Sequence, residues 1–202
     1  MEDICLERAA FDEGNLHPGH RSIRLKGFDY SSPGFYFVTI CCDAKRCVLG
    51  SVTDAHARLS QIGKAVQDCW VAIPAHFSHT KLHEFVIMPN HVHGIIEILR
   101  IAGSPRLEEI GRIDRPRPIQ PRSLSAILRS FKSAAAKNVY RDLKFQATLW
   151  QRNFYERVLR DADELANAQR YILENPEKWE WDNENPDRRR NFVERFRQSS
   201  SI

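Results

Sequence analysis

Apolar positions along this chain change their period several times, and each change marks an element. Residues 35–42 (FYFVTICC) are a run of aromatic and β-branched side chains behind Ser31-Ser32-Pro33-Gly34, a turn followed by a strand. Leu59, Ile62, Ala65, Val66, Cys69 and Trp70 recur at spacings of three and four, which predicts a helix from Ser60 to about Ile73. Residues 81–88 and 91–99 read as two further strands. Pro89-Asn90 between them makes an antiparallel hairpin the natural connection. Leu124, Ile127, Leu128, Phe131, Ala135 and Val139 form the core stripe of a helix over 123–140, with Ser123 able to cap it. Residues 149–159 read as extended. A last helix over 161–175 carries Leu165, Ala168 and Ile172 on its apolar side, and Pro176 stops it.

The order strand, helix, strand, strand, helix, strand, helix predicts an α+β fold. It suits a ferredoxin-like antiparallel sheet with helices on one face, plus a C-terminal helix. Residues 1–20 show no apolar period and read as a flexible N-terminal segment. The domain then spans 21–180, and a charged tail follows over 181–202. Residues 100–122 hold four prolines and six arginines with no period, a loop too long for a plain connector.

Composition narrows the class. At 42% hydrophobic and 28% charged, the chain is neither wholly disordered nor collagen-like nor a coiled coil. No apolar stretch approaches the roughly 18 residues of a membrane span, and Gly94 to Leu99 is broken by Glu97. Met1-Glu2-Asp3 lacks the basic-then-apolar layout of a signal peptide. Five cysteines, an odd set with no CxxC pair, fit a reducing compartment. The expected location is therefore cytoplasmic. Net charge is +4, and the stretch 123–145 carries a surplus of the same size from Arg129, Lys132, Lys137, Arg141 and Lys144 against Asp142. A basic helix face of this kind is a footprint for phosphate, or simply a solvated surface.

His91-Val92-His93 is the sharpest candidate for chemistry. On a strand, residues i and i+2 share a face, so the two imidazoles stand side by side as a bidentate start for a divalent metal. Ile95 and Glu97 follow on that face, while Val92, Gly94, Ile96 and Ile98 turn to the core. The bland alternative is a pair of half-exposed strand histidines. Tyr171 and Asn175 lie four apart on the last helix and flank its apolar stripe. A tyrosine becomes a nucleophile beside a metal once its proton is taken, and is otherwise inert at its ordinary pKa of about 10. Pro176 disfavours helical backbone at Asn175, so the helix is expected to unwind there. Trp150-Gln151-Arg152 has the chemistry to stack on and hydrogen-bond a nucleotide. A tryptophan anchoring the sheet edge is an equal reading.

Met88-Pro89-Asn90-His91-Val92-His93-Gly94 resembles the His-hydrophobic-His signature of the single-tyrosine HUH transposases. Three more stretches match that family in the same order. They are Arg24-Leu25-Lys26-Gly27-Phe28-Asp29-Tyr30, Leu149-Trp150-Gln151-Arg152-Asn153-Phe154-Tyr155-Glu156, and Arg170-Tyr171-Ile172-Leu173-Glu174-Asn175-Pro176. The resemblance covers about residues 21–180, and the Trp-Gln-Arg block is similar to that of the REP-associated branch. It implies metal-dependent nicking and strand transfer of single-stranded DNA at hairpins through a 5′-phosphotyrosine. On this chain, Tyr171 would be the nucleophile. His91, His93 and Asn175 would hold Mg²⁺ or Mn²⁺.

Arg24, Lys26, Arg129, Lys132, Trp150, Gln151 and Arg152 are the candidate DNA contacts. Association with nucleoid DNA would follow. A monomer is favoured over a dimer that exchanges the tyrosine helix. Two departures stand out. Arg157 occupies a position that is often histidine in the family, and the 100–122 loop is unusually long. Two competing functions remain: a hairpin-binding protein without cleavage, and a phosphodiesterase in which water attacks and Tyr171 is structural.

Overall fold

The structure, a computed structural model, describes residues 28–100 and 121–188. Expectations that fall elsewhere lie outside the described residues: the N-terminal segment, Arg24 and Lys26, nearly all of the 100–122 loop, and the end of the tail.

The chain forms β1 (Gly34–Cys41), β2 (Gly50–Thr53), β3 (His56–Leu59), α1 (Gln61–Val71), α2 (Ile73–His76), β4 (Thr80–Ile87), β5 (His91–Ile98), α3 (Leu124–Asp142), β6 (Tyr155–Leu159) and α4 (Ala162–Glu174). Four strands make one antiparallel sheet in the order β4-β5-β1-β6. With α1 between β1 and β4, and α3 between β5 and β6, this is the ferredoxin-like β-α-β-β-α-β arrangement. Ser60, Ser123 and Asp161 start α1, α3 and α4. Each side chain accepts the backbone N–H three residues on, a donor the helix itself leaves unpaired.

Strand alternation gives the sheet two different faces. Tyr36, Val38 and Ile40 of β1 and Val92, Ile96 and Ile98 of β5 meet Val66 and Trp70 of α1 and Leu124, Ile127, Leu128 and Phe131 of α3 in the main core. Gly94 belongs to this face. A Cβ there would lie 2.3 Å from the Trp70 ring, so the indole packs where only glycine leaves room. The other face carries Phe37 and Ile95, covered by Ala168 and Ile172 of α4 with Leu165 and Tyr171 beside them. Sandwiching the sheet between α1/α3 and α4 buries both faces, and the histidine face with them.

Three local expectations change. The β2–β3 hairpin was not anticipated, because Asp54 and Ala55 adopt φ of 52° and 60° without the Asn-Gly or Gly that usually signals such a turn. Residues 149–153 are not strand: regular pairing begins at Tyr155, and Trp150 contributes one isolated bridge to Cys42. Asn175 keeps helical backbone (φ −58°, ψ −41°) despite Pro176. Backbone hydrogen bonds from Lys178 N to Glu174 O and Asn175 O carry the turn past the proline, so the side chain stays aligned with Tyr171. Among the described residues, no helix is long and apolar enough to cross a membrane.

Candidate catalytic site

Position on β5 decides the environment of the two histidines. Their face is roofed by α4, so His91 is 0% and His93 4% exposed, not half-exposed as a bare strand pair would be. The ring centroids are 4.4 Å apart. Phe37 stacks on His93 at 5.4 Å, and Trp179, just beyond α4, lies 6.1 Å from His91. Burial holds both imidazoles well below their ordinary pKa. For His91, burial and then the Lys45 charge lower it to about 3, with the Asn175 amide opposing; for His93, burial is followed by the neighbouring His91. Both rings are therefore neutral at physiological pH, the form that ligates metals.

Each ring has one nitrogen engaged. Asn90 Oδ1 is 2.9 Å from His91 Nδ1, and Thr39 Oγ1 is 2.8 Å from His93 Nδ1. The other nitrogen of each, Nε2, is buried with no hydrogen-bond partner, and so is Oδ1 of Asn175. Asn175 Nδ2 turns instead toward Asp182 Oδ2, 3.4 Å away. Three buried polar atoms without partners are costly in a folded protein unless a bound ion or water satisfies them.

Asp182 joins this group. It follows a 3-10 turn at Trp179–Trp181, and a carboxylate oxygen and one ring nitrogen each of His91 and His93 lie within 4.8 Å of one another. A backbone N–H, that of Glu184, holds its Oδ1 at 2.6 Å. Two neutral imidazoles, a carboxylate and an amide oxygen form a donor set that a divalent metal accepts. Sequence reading had placed this residue in the charged tail. Its one signal was the polar run Asp182-Asn183-Glu184-Asn185-Pro186, whose turns bring the chain back across the site.

Helix α4 sets Tyr171 against the same cluster. Its ring meets His93 edge-on at 5.2 Å and Phe37 at 5.9 Å. Tyr171 and Asn175, one turn apart, thus flank the two histidines from above. Opposite His91 on β1 sits Cys41, whose thiol is pushed up by burial and by Glu184 and so stays protonated. Arg157, on β6, donates to Glu164 Oε1 at 2.9 Å and ties that strand to the first turn of α4.

The expected DNA contacts divide. Arg129 and Arg152 are exposed, and Gln151 is half-buried with its backbone N–H donated to Cys41 O. The other two candidates make internal contacts. Lys132 directs its ammonium at the carbonyls of Gln151, Arg152 and Asn153, at 2.6, 3.2 and 3.1 Å. Burial lowers its pKa to about 8. Trp150 is only 7% exposed, packs on Phe131 at 5.9 Å, and donates its indole N–H to Lys132 O. The pair latches α3 to the 150–153 turn. The exposed basic side of α3 also belongs to the helix layer opposite α4.

Comparison with known proteins follows this geometry. The chain is 38% identical over 164 residues to an uncharacterized protein of Haemophilus influenzae, across 80% of this chain and 91% of that one. It belongs to the same family as that protein. No model of a known protein family matches it. Among solved structures, a REP-associated tyrosine transposase bound to a REP hairpin superposes with a TM-score of 0.51, over 82% of this chain and 76% of that one. At 16% identity, the likeness is one of fold.

Proposed function

We propose that this protein is a metal-dependent enzyme that nicks and rejoins single-stranded DNA at hairpin sequences, with Tyr171 as nucleophile. The observation that carries the reading is the cluster of His91, His93 and Asp182, whose ligand atoms lie within 4.8 Å of one another beside the Tyr171 ring, with both Nε2 atoms and Asn175 Oδ1 buried and unsatisfied. These three, with Asn175, would hold Mg²⁺ or Mn²⁺. A cation bound there would polarise the scissile phosphate and fix its orientation.

The protein's own part follows from placement. Tyr171 is anchored by its ring against Phe37 and His93, which limits where its hydroxyl points. Its oxygen attacks phosphorus as the phenolic proton passes to solvent. The P–O3′ bond breaks, O3′ takes up a proton, and a 5′-phosphotyrosine remains. Because one phosphoester replaces another, the bond energy is kept and a returning 3′-hydroxyl can rejoin the strand without a nucleotide cofactor. Helix α4, which carries Tyr171 and Asn175, packs on the sheet face of Phe37 and Ile95, so the site can be assembled within one chain.

The solved fold neighbour was captured with a REP hairpin, which supports hairpin DNA as the substrate class. Arg129 and Arg152 supply exposed cations for phosphate, and Gln151 lies beside Arg152 in sequence. A binding protein without cleavage would gain nothing from three buried polar atoms left without partners.

The reading is tested with a labelled single strand carrying the hairpin found beside the gene. Wild type with Mg²⁺ or Mn²⁺ is expected to cut it, and His91→Ala to bind the hairpin but leave it intact. Full cleavage by His91→Ala would overturn the metal assignment.

A further inference from the structure

We propose that Asn90 is a positioning residue that locks the tautomer of His91 and, through the same amide, clamps the Asp182 turn onto the site. The inference rests on the metal-site reading above.

Asn90 Nδ2 carries two protons, and both are used. One is donated to Lys45 O at 3.0 Å and the other to Glu184 O at 2.7 Å. Both partners are backbone carbonyls, which only accept, so the amide cannot be turned over without setting oxygen against oxygen. Asn90 Oδ1 must then be the atom facing His91 Nδ1 at 2.9 Å. An amide oxygen only accepts, so Nδ1 carries the hydrogen and Nε2 is left as a bare lone pair aimed at the cluster. Asn90 is 1% exposed, and so has little access to water that could replace any of these bonds.

His93 has no such lock. Its Nδ1 partner is the Thr39 hydroxyl, which can donate or accept. The two ligands therefore differ: the ring of His91 is fixed before metal arrives, and that of His93 is not.

The same amide reaches the other side of the site. Glu184 N holds Asp182 Oδ1, and Glu184 O is held by Asn90, so the turn carrying Asp182 is fastened at its own backbone. The 43–45 turn adds a second fastening. Lys45 Nζ donates to Asn183 O at 3.0 Å and pairs with Glu184 Oε2 at 3.3 Å. Ala44 and Lys45 adopt φ of 53° and 52°, a left-handed conformation that non-glycine residues rarely enter. The structure thus accepts local backbone strain where it brings the Lys45 carbonyl to Asn90.

The test combines two readouts. In metal-free wild type at neutral pH, nitrogen-15 NMR of the histidine rings is expected to show His91 protonated at Nδ1. Asn90→Ala is expected to mix its tautomers while leaving those of His93 unchanged. Asn90→Asp, which can still accept from Nδ1 but cannot donate to the carbonyls, is expected to keep the tautomer and lose the clamp. Mn²⁺ titration followed by electron paramagnetic resonance is expected to show affinity about 10–100-fold weaker for Asn90→Ala, the usual effect of losing such an outer partner. A wild-type His91 protonated at Nε2 overturns the proposal even if every variant fails to fold. So does unchanged Mn²⁺ affinity in a folded Asn90→Ala. Absence of Mn²⁺ binding by wild type, with the tautomer as stated, would instead refute the metal-site reading on which the ligand role depends.

Discussion

Lowering the pH from 7 to 5 in the absence of metal should destabilise this protein strongly, and the two buried histidines set the amount. An imidazole in the unfolded chain takes up a proton near pH 6.5, whereas in the fold both stay bare, His91 down to about pH 3. Below pH 6.5 the unfolded state therefore binds more protons than the folded one. Stability is complete above that value and falls as pH falls, until the folded rings protonate in turn. Each unit of pH below 6.5 is worth about 1.4 kcal/mol per histidine that stays bare, so the step from 7 to 5 costs about 2 kcal/mol for His91, and His93 acts in the same direction. Urea unfolding at half-unit pH intervals measures it, and His91→Gln should remove about 2 kcal/mol of the loss. Equal stability at pH 5 and pH 7 would refute the claim that these rings are buried and neutral.

Lys132→Met should lower stability by about 1–3 kcal/mol in urea unfolding, because three carbonyls lose their donor. The salt dependence of DNA binding should stay as in wild type, and a shallower slope would restore Lys132 to the phosphate contacts. Arg129→Ala and Arg152→Ala should each reduce that slope by about one, measured by titrating a labelled hairpin at several salt concentrations, with no change in stability beyond about 0.5 kcal/mol. An unchanged slope would remove that arginine from the interface.

Element order and apolar period were enough to read the ferredoxin-like sheet, because each stripe had one face to bury and the order allowed few arrangements. Tyr36, Val38 and Ile40 alternate with Phe37 and Thr39 so regularly that both sheet faces are legible in β1. The histidine pair and Tyr171 were legible for the same reason: strand and helix periods place them. What the sequence concealed depends on tertiary placement. Lys132 and Trp150 read as a basic and aromatic surface because a lysine stem and an indole suit a nucleotide or a buried latch equally. Burial of His91 and His93 needed α4 on that side of the sheet, which the stripe of α4 alone does not specify. Asp182 was hidden most deeply, since its approach depends on turns held by Asn90 and Lys45, far away in sequence.

The central claim is a covalent one, and it is tested by trapping the adduct. A single-stranded hairpin oligonucleotide, labelled at its 3′ end or its 5′ end, is incubated with Mg²⁺ or Mn²⁺ and run on a denaturing protein gel. Wild type should carry the 3′ label into a protein-sized band, the 5′ label should leave with a free 3′-hydroxyl fragment, and Tyr171→Phe should show no band. Cleavage without an adduct, or an adduct that survives in Tyr171→Phe, would contradict the account.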